Sequence, residues 1–275
     1  MTAIIFILHK EPIMVLFLFL LERSTMKDIL TELTKTLGGY NKTVNSSINS
    51  INKSLMAIGY ILVSVLFLIE MLSWYRFIRN QGGEMTWKLF LEVAIKYFIA
   101  YFLVAQSGAV LNAIMWFTNG VTKLIGVDLS GNNLFEFKAI KKGAYGIRTG
   151  LNLLAFLIGA AAQLSVKVMV LLRFIELYFF KAIAPIIVAF WMGDNTRHIA
   201  INFLKTFGAV ALQGAVIVLL IAIWKAFNID ATIKLSDSSW IGSFAPGFSY
   251  IGKCVVFLIL LIGSQRKAKQ LLNVS

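Results

Sequence analysis

Residues 151–192 read LNLLAFLIGAAAQLSVKVMVLLRFIELYFFKAIAPIIVAFWM, and this apolar run decides the fold class. A transmembrane helix needs about 20 mostly apolar residues. The 42 residues of this run are therefore too many for one span and enough for two. Arg173, Glu176 and Lys181 lie near its middle. We expect the chain to turn there, with one span on either side.

The composition of the whole chain agrees with this expectation. Hydrophobic residues make up 59% of the 275 residues and charged residues only 14%, and the mean hydropathy is +0.80. Soluble domains average about 45–50% apolar and about 25% charged residues. The sequence therefore predicts an all-α, polytopic transmembrane protein with five or six spans.

Apolar segments of suitable length place these spans within a transmembrane domain at 55–265. Five spans remain if 182–192 enters the membrane without crossing it. The polar stretch at 225–247 contains Trp240, Phe244 and Pro246 and is a candidate assembly loop. The six predicted spans lie at about 55–74, 93–117, 151–172, 174–192, 207–224 and 248–263.

The first 54 residues divide into two parts. Residues 1–25 contain two apolar pieces, each too short to span a membrane, without the basic start of a signal peptide. We therefore expect translation to begin at Met26, and 1–25 to be a doubtful extension. Residues 26–54 predict an N-terminal amphipathic helix, because apolar residues recur at steps of three and four from Val44 to Ile58. Such a helix either packs on neighbours or lies on the bilayer.

Charge distribution indicates the topology of a multi-pass protein of the cell membrane. With six spans, most Lys and Arg residues outside the spans lie on the side of the basic tail, 266–275. The positive-inside rule places that tail in the cytoplasm. The N-terminus then lies on the same side with six spans and on the opposite side with five, so its side stays open.

The residues needed for several kinds of chemistry are missing from the sequence. Cys254 is the only cysteine, and His9 and His198 are the only histidines. No catalytic motif or nucleotide-binding glycine loop occurs. We expect no enzymatic activity, no cofactor and no metal. The net charge of +13 is spread between apolar stretches, which favours a membrane surface over nucleic acid as its partner.

Charged residues inside apolar segments usually face protein or water. Arg173 and Glu176 are one turn apart, and we expect them to neutralise each other. Pro185 lacks an amide proton and frees a carbonyl of the preceding turn, which needs a partner. Lys88, Glu92 and Lys96 form a stripe of alternating charge on one helix face.

Small residues predict places where helices approach closely. Gly208, Ala211 and Ala215 share one face of the fifth predicted span, and Gly159 lies in a second small-residue segment. Packing within one subunit is the plainest explanation of both.

The run RFIELYFFKAIAPIIVAFWMGDNTRHIAINFLKTFGAVALQG, residues 173–214, resembles the TrbL-like polytopic inner-membrane subunits of type IV secretion and conjugative transfer machines, especially those of Gram-positive elements. The resemblance covers this segment well and the rest only by hydropathy. Lys181 lies within the segment as a further candidate for assembly. The residues that carry the resemblance are Arg173, Glu176, Pro185, Arg197, Phe203, Lys205, Gln213 and Gly214.

The resemblance implies a homo-oligomeric channel or scaffold subunit surrounded by membrane lipid. It would contact an assembly ATPase and other secretion subunits, and help to pass single-stranded DNA or protein. Its family keeps the N-terminus outside and the C-terminus inside. Two alternatives remain: the membrane subunit of a secondary transporter, suggested by the intramembrane charges and Pro185, and a holin-like pore-forming protein.

Overall fold

The computed structural model describes residues 26–81, 87–126, 145–226 and 245–273. Within these ranges the chain is helical and forms no strand. The predictions for residues 1–25 and for most of the candidate assembly loop at 225–247 lie outside the described residues. The helices are α1 (Met26–Leu33), α2 (Leu37–Tyr40), α3 (Lys42–Gln81), α4 (Trp87–Ala105), α5 (Ser107–Gly126), α6 (Tyr145–Ala189), α7 (Arg197–Ala226) and α8 (Ala245–Leu271).

Four of these helices, α3, α6, α7 and α8, are long and apolar enough to cross a membrane. Helices α4 and α5 pass the same test only as a bent pair. The described chain therefore has four candidate spans, or five if the bent pair crosses as one. The predicted all-helical architecture is confirmed, and these helices are consistent with a multi-pass membrane protein.

Helix α6 corrects the prediction made from the longest apolar run. The expected turn near Arg173–Lys181 does not exist, because one helix of 45 residues runs from Tyr145 to Ala189. The spans predicted at 151–172 and 174–192 lie in one continuous helix and are not two separate spans. The chain turns instead at 190–196, ahead of α7. The charged residues need no turn because neighbouring helices bind them, as described below.

The span predicted at 93–117 is not one straight helix. The structure breaks it at Gln106, and the two halves are bent by 74°. Gln106 N donates to Phe102 O at the end of α4, and Gln106 O accepts from Val110 N in the first turn of α5, both at 2.9 Å. Gln106 is therefore the residue at which α4 ends and α5 begins.

The N-terminal segment is divided more finely than the sequence predicts. In place of one helix over 26–54, the structure has α1, α2 and the beginning of α3. The hydroxyl of Thr36 accepts a hydrogen bond from Gly39 N at 3.1 Å, and Asn41 Oδ1 accepts one from Val44 N at 3.0 Å. Thr and Asn side chains often cap the N-terminus of a helix. Thr36 and Asn41 therefore mark the starts of α2 and α3 and divide the segment into separate helices. Helix α3 then continues without interruption into the first apolar span.

The chain divides into two compact units. Of the described residues, unit 1 contains 26–33, 123–126, 145–170, 217–226 and 245–264. In it, the rings of Trp224 and Phe257 meet edge to face, with centroids 5.3 Å apart. Unit 2 contains Thr34–Thr122, Leu171–Val216 and the residues from Gln265 onward. Nearly all of the polar residues that the sequence singles out belong to unit 2.

Candidate functional site

Arg173 is buried in unit 2, where it binds the backbone of α7. Its exposed fraction is 1%. Nε donates to the carbonyl of Val210 at 3.1 Å, and Nη2 donates to the carbonyl of Ala211 at 2.8 Å. A planar guanidinium presents several donors in a fixed fork, which suits two successive carbonyls. Arg173 therefore attaches α6 to α7 through main-chain atoms.

Gly214 makes room for this guanidinium. A Cβ atom at position 214 would lie 2.8 Å from Cζ of Arg173 and 2.9 Å from Nη1. Gln213 beside it is buried. Arg173 and Gly214, two residues of the resemblance that are 41 positions apart in the sequence, are thus direct neighbours. Sequence spacing alone gives no sign of this contact.

The small-residue face of α7 is buried, through Ala211, Ala215 and Gly208. At Gly208 a Cβ atom would lie 3.4 Å from a methyl carbon of Leu272, so the chain end packs here. In unit 1, Gly159 is covered by the hydroxyl and ring of Tyr250, leaving no room for a Cβ atom. Both glycines therefore lie where a side chain from another segment approaches the helix closely.

Glu176 does not neutralise Arg173, and that expectation is wrong. Its Oε1 accepts a hydrogen bond of 2.6 Å from Nε2 of Gln265 on α8. Its Oε2 is enclosed and has no hydrogen-bond partner among the described residues. The two charged residues are one turn apart, but their side chains are directed to different helices. Tertiary contacts have replaced the local pair.

Lys181 binds a third neighbour, helix α3. Its side chain is buried, and Nζ donates to Oδ1 of Asn45 at 3.1 Å. Its carbonyl accepts a hydrogen bond of 2.6 Å from Nδ2 of Asn52. This carbonyl lies four residues before Pro185, whose missing amide proton leaves it without its helical donor. The structure thus supplies the partner that the sequence predicts for a freed carbonyl.

Asn52 also reaches the break between α4 and α5. Its Nδ2 lies 3.4 Å from Oγ of Ser107, the first residue of α5. Close approach is possible because of Gly59, where a Cβ atom would lie 2.7 Å from the carbonyl oxygen of Pro185 and 2.9 Å from Val104. The two irregular points of the helices, at Pro185 and at Gln106, therefore meet on the same face of α3.

Two aromatic contacts at α6 were not anticipated. The hydroxyl of Tyr178 donates to the carbonyl of Leu37 at 2.6 Å. The ring of Phe174 stacks on Tyr40, with centroids 3.8 Å apart. The only sequence signal was the presence of tyrosines at these positions, which is too common to predict a contact.

The remaining residues of the resemblance lie apart from Arg173. Phe203 is buried, and its ring meets Phe180 at 5.4 Å. Lys205 is exposed. Arg197 donates to Oδ1 of Asp194 at 2.9 Å and lies over the ring of Trp191. The structure thus does not gather all of these residues into one site.

Asp194 belongs to a set of charges that we call the turn cluster. Lys96 is its centre: Nζ lies 2.9 Å from Asp194, 3.3 Å from Glu92 and 4.0 Å from Glu70. The predicted pairing of Glu92 with Lys96 is present, whereas Lys88 is exposed. The turn cluster consists of Glu70, Glu92, Lys96, Asp194 and Arg197.

The carboxyl of Asp194 titrates below the usual range of an aspartate. Burial alone would raise its pKa, but hydrogen bonding to Lys96 and the nearby positive charge of Arg197 outweigh burial and lower the pKa. The turn cluster therefore links α3, α4 and the turn at 190–196 through an ionised carboxylate.

In the described ranges, no group of three or more His, Cys, Asp or Glu residues could hold a metal ion. Comparison of the chain with protein-family models, with curated proteins and with solved structures finds no match. The fold places the chain in the class of all-helical proteins with several candidate membrane spans. Its most distinctive site is the stretch of α6 from Arg173 to Pro185, which binds α3, α7 and α8.

Proposed function

We propose that this chain is a non-catalytic channel or scaffold subunit of a type IV secretion machine. The proposal begins from the resemblance of residues 173–214 to TrbL-like subunits. The observation that carries it furthest is the contact between Arg173 and Gly214. Two of the residues that carry the resemblance, Arg173 and Gly214, therefore lie together where α6 joins α7.

The burial of the candidate spans supports an assembly role. The most apolar part of α7 is 61% buried, whereas that of α3 is only 11% buried. A helix with so much apolar surface must be covered by lipid or by other chains. In this proposal α7 is the centre of the subunit, and α3 is the helix that meets lipid, further copies or other secretion subunits. With five spans the N-terminus lies outside and the C-terminus in the cytoplasm.

The transporter alternative is favoured by one observation, the bend of 74° between α4 and α5. Broken helices with polar residues at the break form substrate sites in secondary transporters. Here Ser107, Asn52 and Lys181 meet at the break. Substrate-dependent uptake into vesicles containing the purified chain alone would favour a transporter over a secretion subunit.

The proposal is tested by crosslinking and affinity purification from the membrane of the native host. Recovery of an assembly ATPase and other transfer subunits with the chain is the expected result. Isolation of the chain alone, or only as a small homo-oligomer, would contradict the secretion role. Mass spectrometry of the crosslinked material identifies the partners.

A transfer assay adds a functional readout with a matched control. Arg173→Lys is expected to reduce transfer, because a single ammonium cannot replace both hydrogen bonds to α7. Arg79→Lys makes the same change at an exposed position of α3 and is expected to leave transfer unchanged. The amount of each variant in the membrane is measured first, so that loss of protein is not mistaken for loss of transfer.

A further inference from the structure

The last turns of α8 have one packed face and one basic face. Ala268 is 1% exposed and faces the protein. Arg266 and Lys267 are exposed, and Lys269 is half-buried. These residues follow directly after the apolar stretch Val255–Ile262. Cations at the end of an apolar helix lie at the depth where lipid headgroups begin.

Two contacts hold this end of α8 in place. Gln265 donates to Glu176 at 2.6 Å. Leu272 packs at Gly208, where a Cβ atom would be 3.4 Å away. The basic side chains are therefore presented by a packed segment on α6 and α7, not by a loose tail.

Lys205 adds a fourth positive charge to this region. It is exposed on α7, one turn before Gly208, the residue that Leu272 covers. Its neighbours in the sequence, Phe203 and Leu204, are apolar, and an ammonium on such a helix requires water or an anion nearby. We call Lys205, Arg266, Lys267 and Lys269 the basic collar.

No carboxylate of the described residues forms an ion pair with any member of the basic collar. Three positive charges at the end of α8 and one on α7 thus lie without an ion-pair partner among the described residues. Anionic headgroups attract such residues by about 1 kcal/mol for each Lys or Arg near the surface.

We propose that the basic collar binds the phosphate groups of anionic phospholipids. Lipid is favoured over nucleic acid because exposed apolar residues, including Ile259 and Ile262, directly precede the collar on the same helix. Headgroups bound there hold α8 against α6 and α7. Anionic lipid therefore stabilises the folded protein, and this role is independent of the proposed part in secretion.

The test uses the purified full-length chain in mixed micelles of a zwitterionic detergent. Phosphatidylglycerol is titrated in, and thermal unfolding is followed. The expected result is a rise in Tm that saturates with the fraction of phosphatidylglycerol. The variant R266Q/K267Q/K269Q should need about 100-fold more phosphatidylglycerol for the same shift, since three cations are lost. Phosphatidylcholine should produce no shift.

The matched control is R76Q/R79Q/K88Q, which removes three exposed cations elsewhere. It should keep the response of the unmodified chain. Equal loss of response in both variants would overturn the proposal, because general attraction to the micelle would then suffice. A Tm shift of the same size with inorganic phosphate or a single-stranded oligonucleotide would also overturn it, since the site would then not be specific for lipid.

Discussion

The carbonyl oxygen of Lys181 and the side-chain amide of Asn52 are joined by a hydrogen bond of 2.6 Å across 129 positions of sequence. Pro185 deprives this carbonyl of its usual donor one turn later in α6. An asparagine on α3 therefore replaces a missing backbone amide. The same asparagine reaches Ser107 at the break between α4 and α5. One side chain thus serves two irregular helices.

This relationship predicts that Asn52 and Pro185 are energetically coupled. Asn52→Ala should destabilise the protein by about 1–3 kcal/mol, because a buried acceptor loses its donor. In a Pro185→Ala background the restored amide can bind the Lys181 carbonyl, so Asn52→Ala should cost at least about 0.5 kcal/mol less. A double-mutant cycle of unfolding in detergent measures the difference. Strict additivity would show that Asn52 does not replace the amide that Pro185 lacks.

The contact of Arg173 with Gly214 predicts a severe effect of a small substitution. Gly214→Ala places a methyl group 2.8 Å from the guanidinium carbon, and overpacking of this kind costs about 1–3 kcal/mol. Gly120→Ala is the control, since nothing lies within 4 Å of a Cβ atom there. In the control, helix propensity should raise the stability by up to about 1 kcal/mol. Equal melting temperatures for both variants would refute this explanation.

The separate partners of Arg173 and Glu176 predict that exchanging their charges fails. Arg173→Glu should be strongly destabilising, and adding Glu176→Arg should not restore stability, because the two side chains bind different helices. Glu176→Gln should be tolerated, since its side-chain oxygen can still accept from Gln265. Circular dichroism during thermal unfolding distinguishes these cases. Recovery in the double exchange would indicate a direct ion pair after all.

The turn cluster predicts sensitivity to acid. The folded-state pKa of Asp194 is lowered, so its contribution to stability is present above the ordinary value of 3.8 and is lost as the pH falls through the folded pKa. Asp194 is partly exposed, which limits this contribution to about 1 kcal/mol or less. Comparing Tm against pH for the unmodified chain and Asp194→Asn measures it. The variant should lose less stability on acidification.

The span count predicts the sides of the two chain ends. With α4 and α5 crossing as one span, residues 42 and 269 lie on opposite sides of the membrane. Cys254→Ser removes the only native thiol, and Lys42→Cys or Lys269→Cys then adds one at each end. A membrane-impermeant maleimide applied to intact cells should label only Lys42→Cys. Labelling of neither or of both would show that the bent pair does not cross.

The sequence predicts the fold class well because composition and the length of apolar runs determine whether lipid must be the solvent. It fails at α6, where the length of the apolar run and the charged residues at its middle predicted a turn. Those residues remain inside one helix because Asn52, Val210, Ala211 and Gln265 supply their hydrogen-bond partners. These partners come from distant parts of the chain, so no local pattern reveals them.

Some features of the candidate site also follow from the sequence, whereas others do not. The need of the freed carbonyl for a partner follows from Pro185 alone, and the packing role of Gly208 follows from its small neighbours. The pairing of Arg173 with Glu176 was inferred from spacing, and the structure contradicts it. No proline lies near the bend at Gln106, which is followed by Ser107 and Gly108. The sequence therefore does not predict a bend there.

The contacts from α6 to its neighbours have a further consequence for how the protein responds to ionic strength. Arg173 is bound by carbonyls, and Glu176 and Lys181 are bound by side-chain amides. Mobile ions screen exposed charges but have little access to short, buried hydrogen bonds. Concentrated salt should therefore weaken the ion pairs of the turn cluster and the binding of lipid phosphates to the basic collar. The hydrogen bonds that join α6 to α3, α7 and α8 should persist.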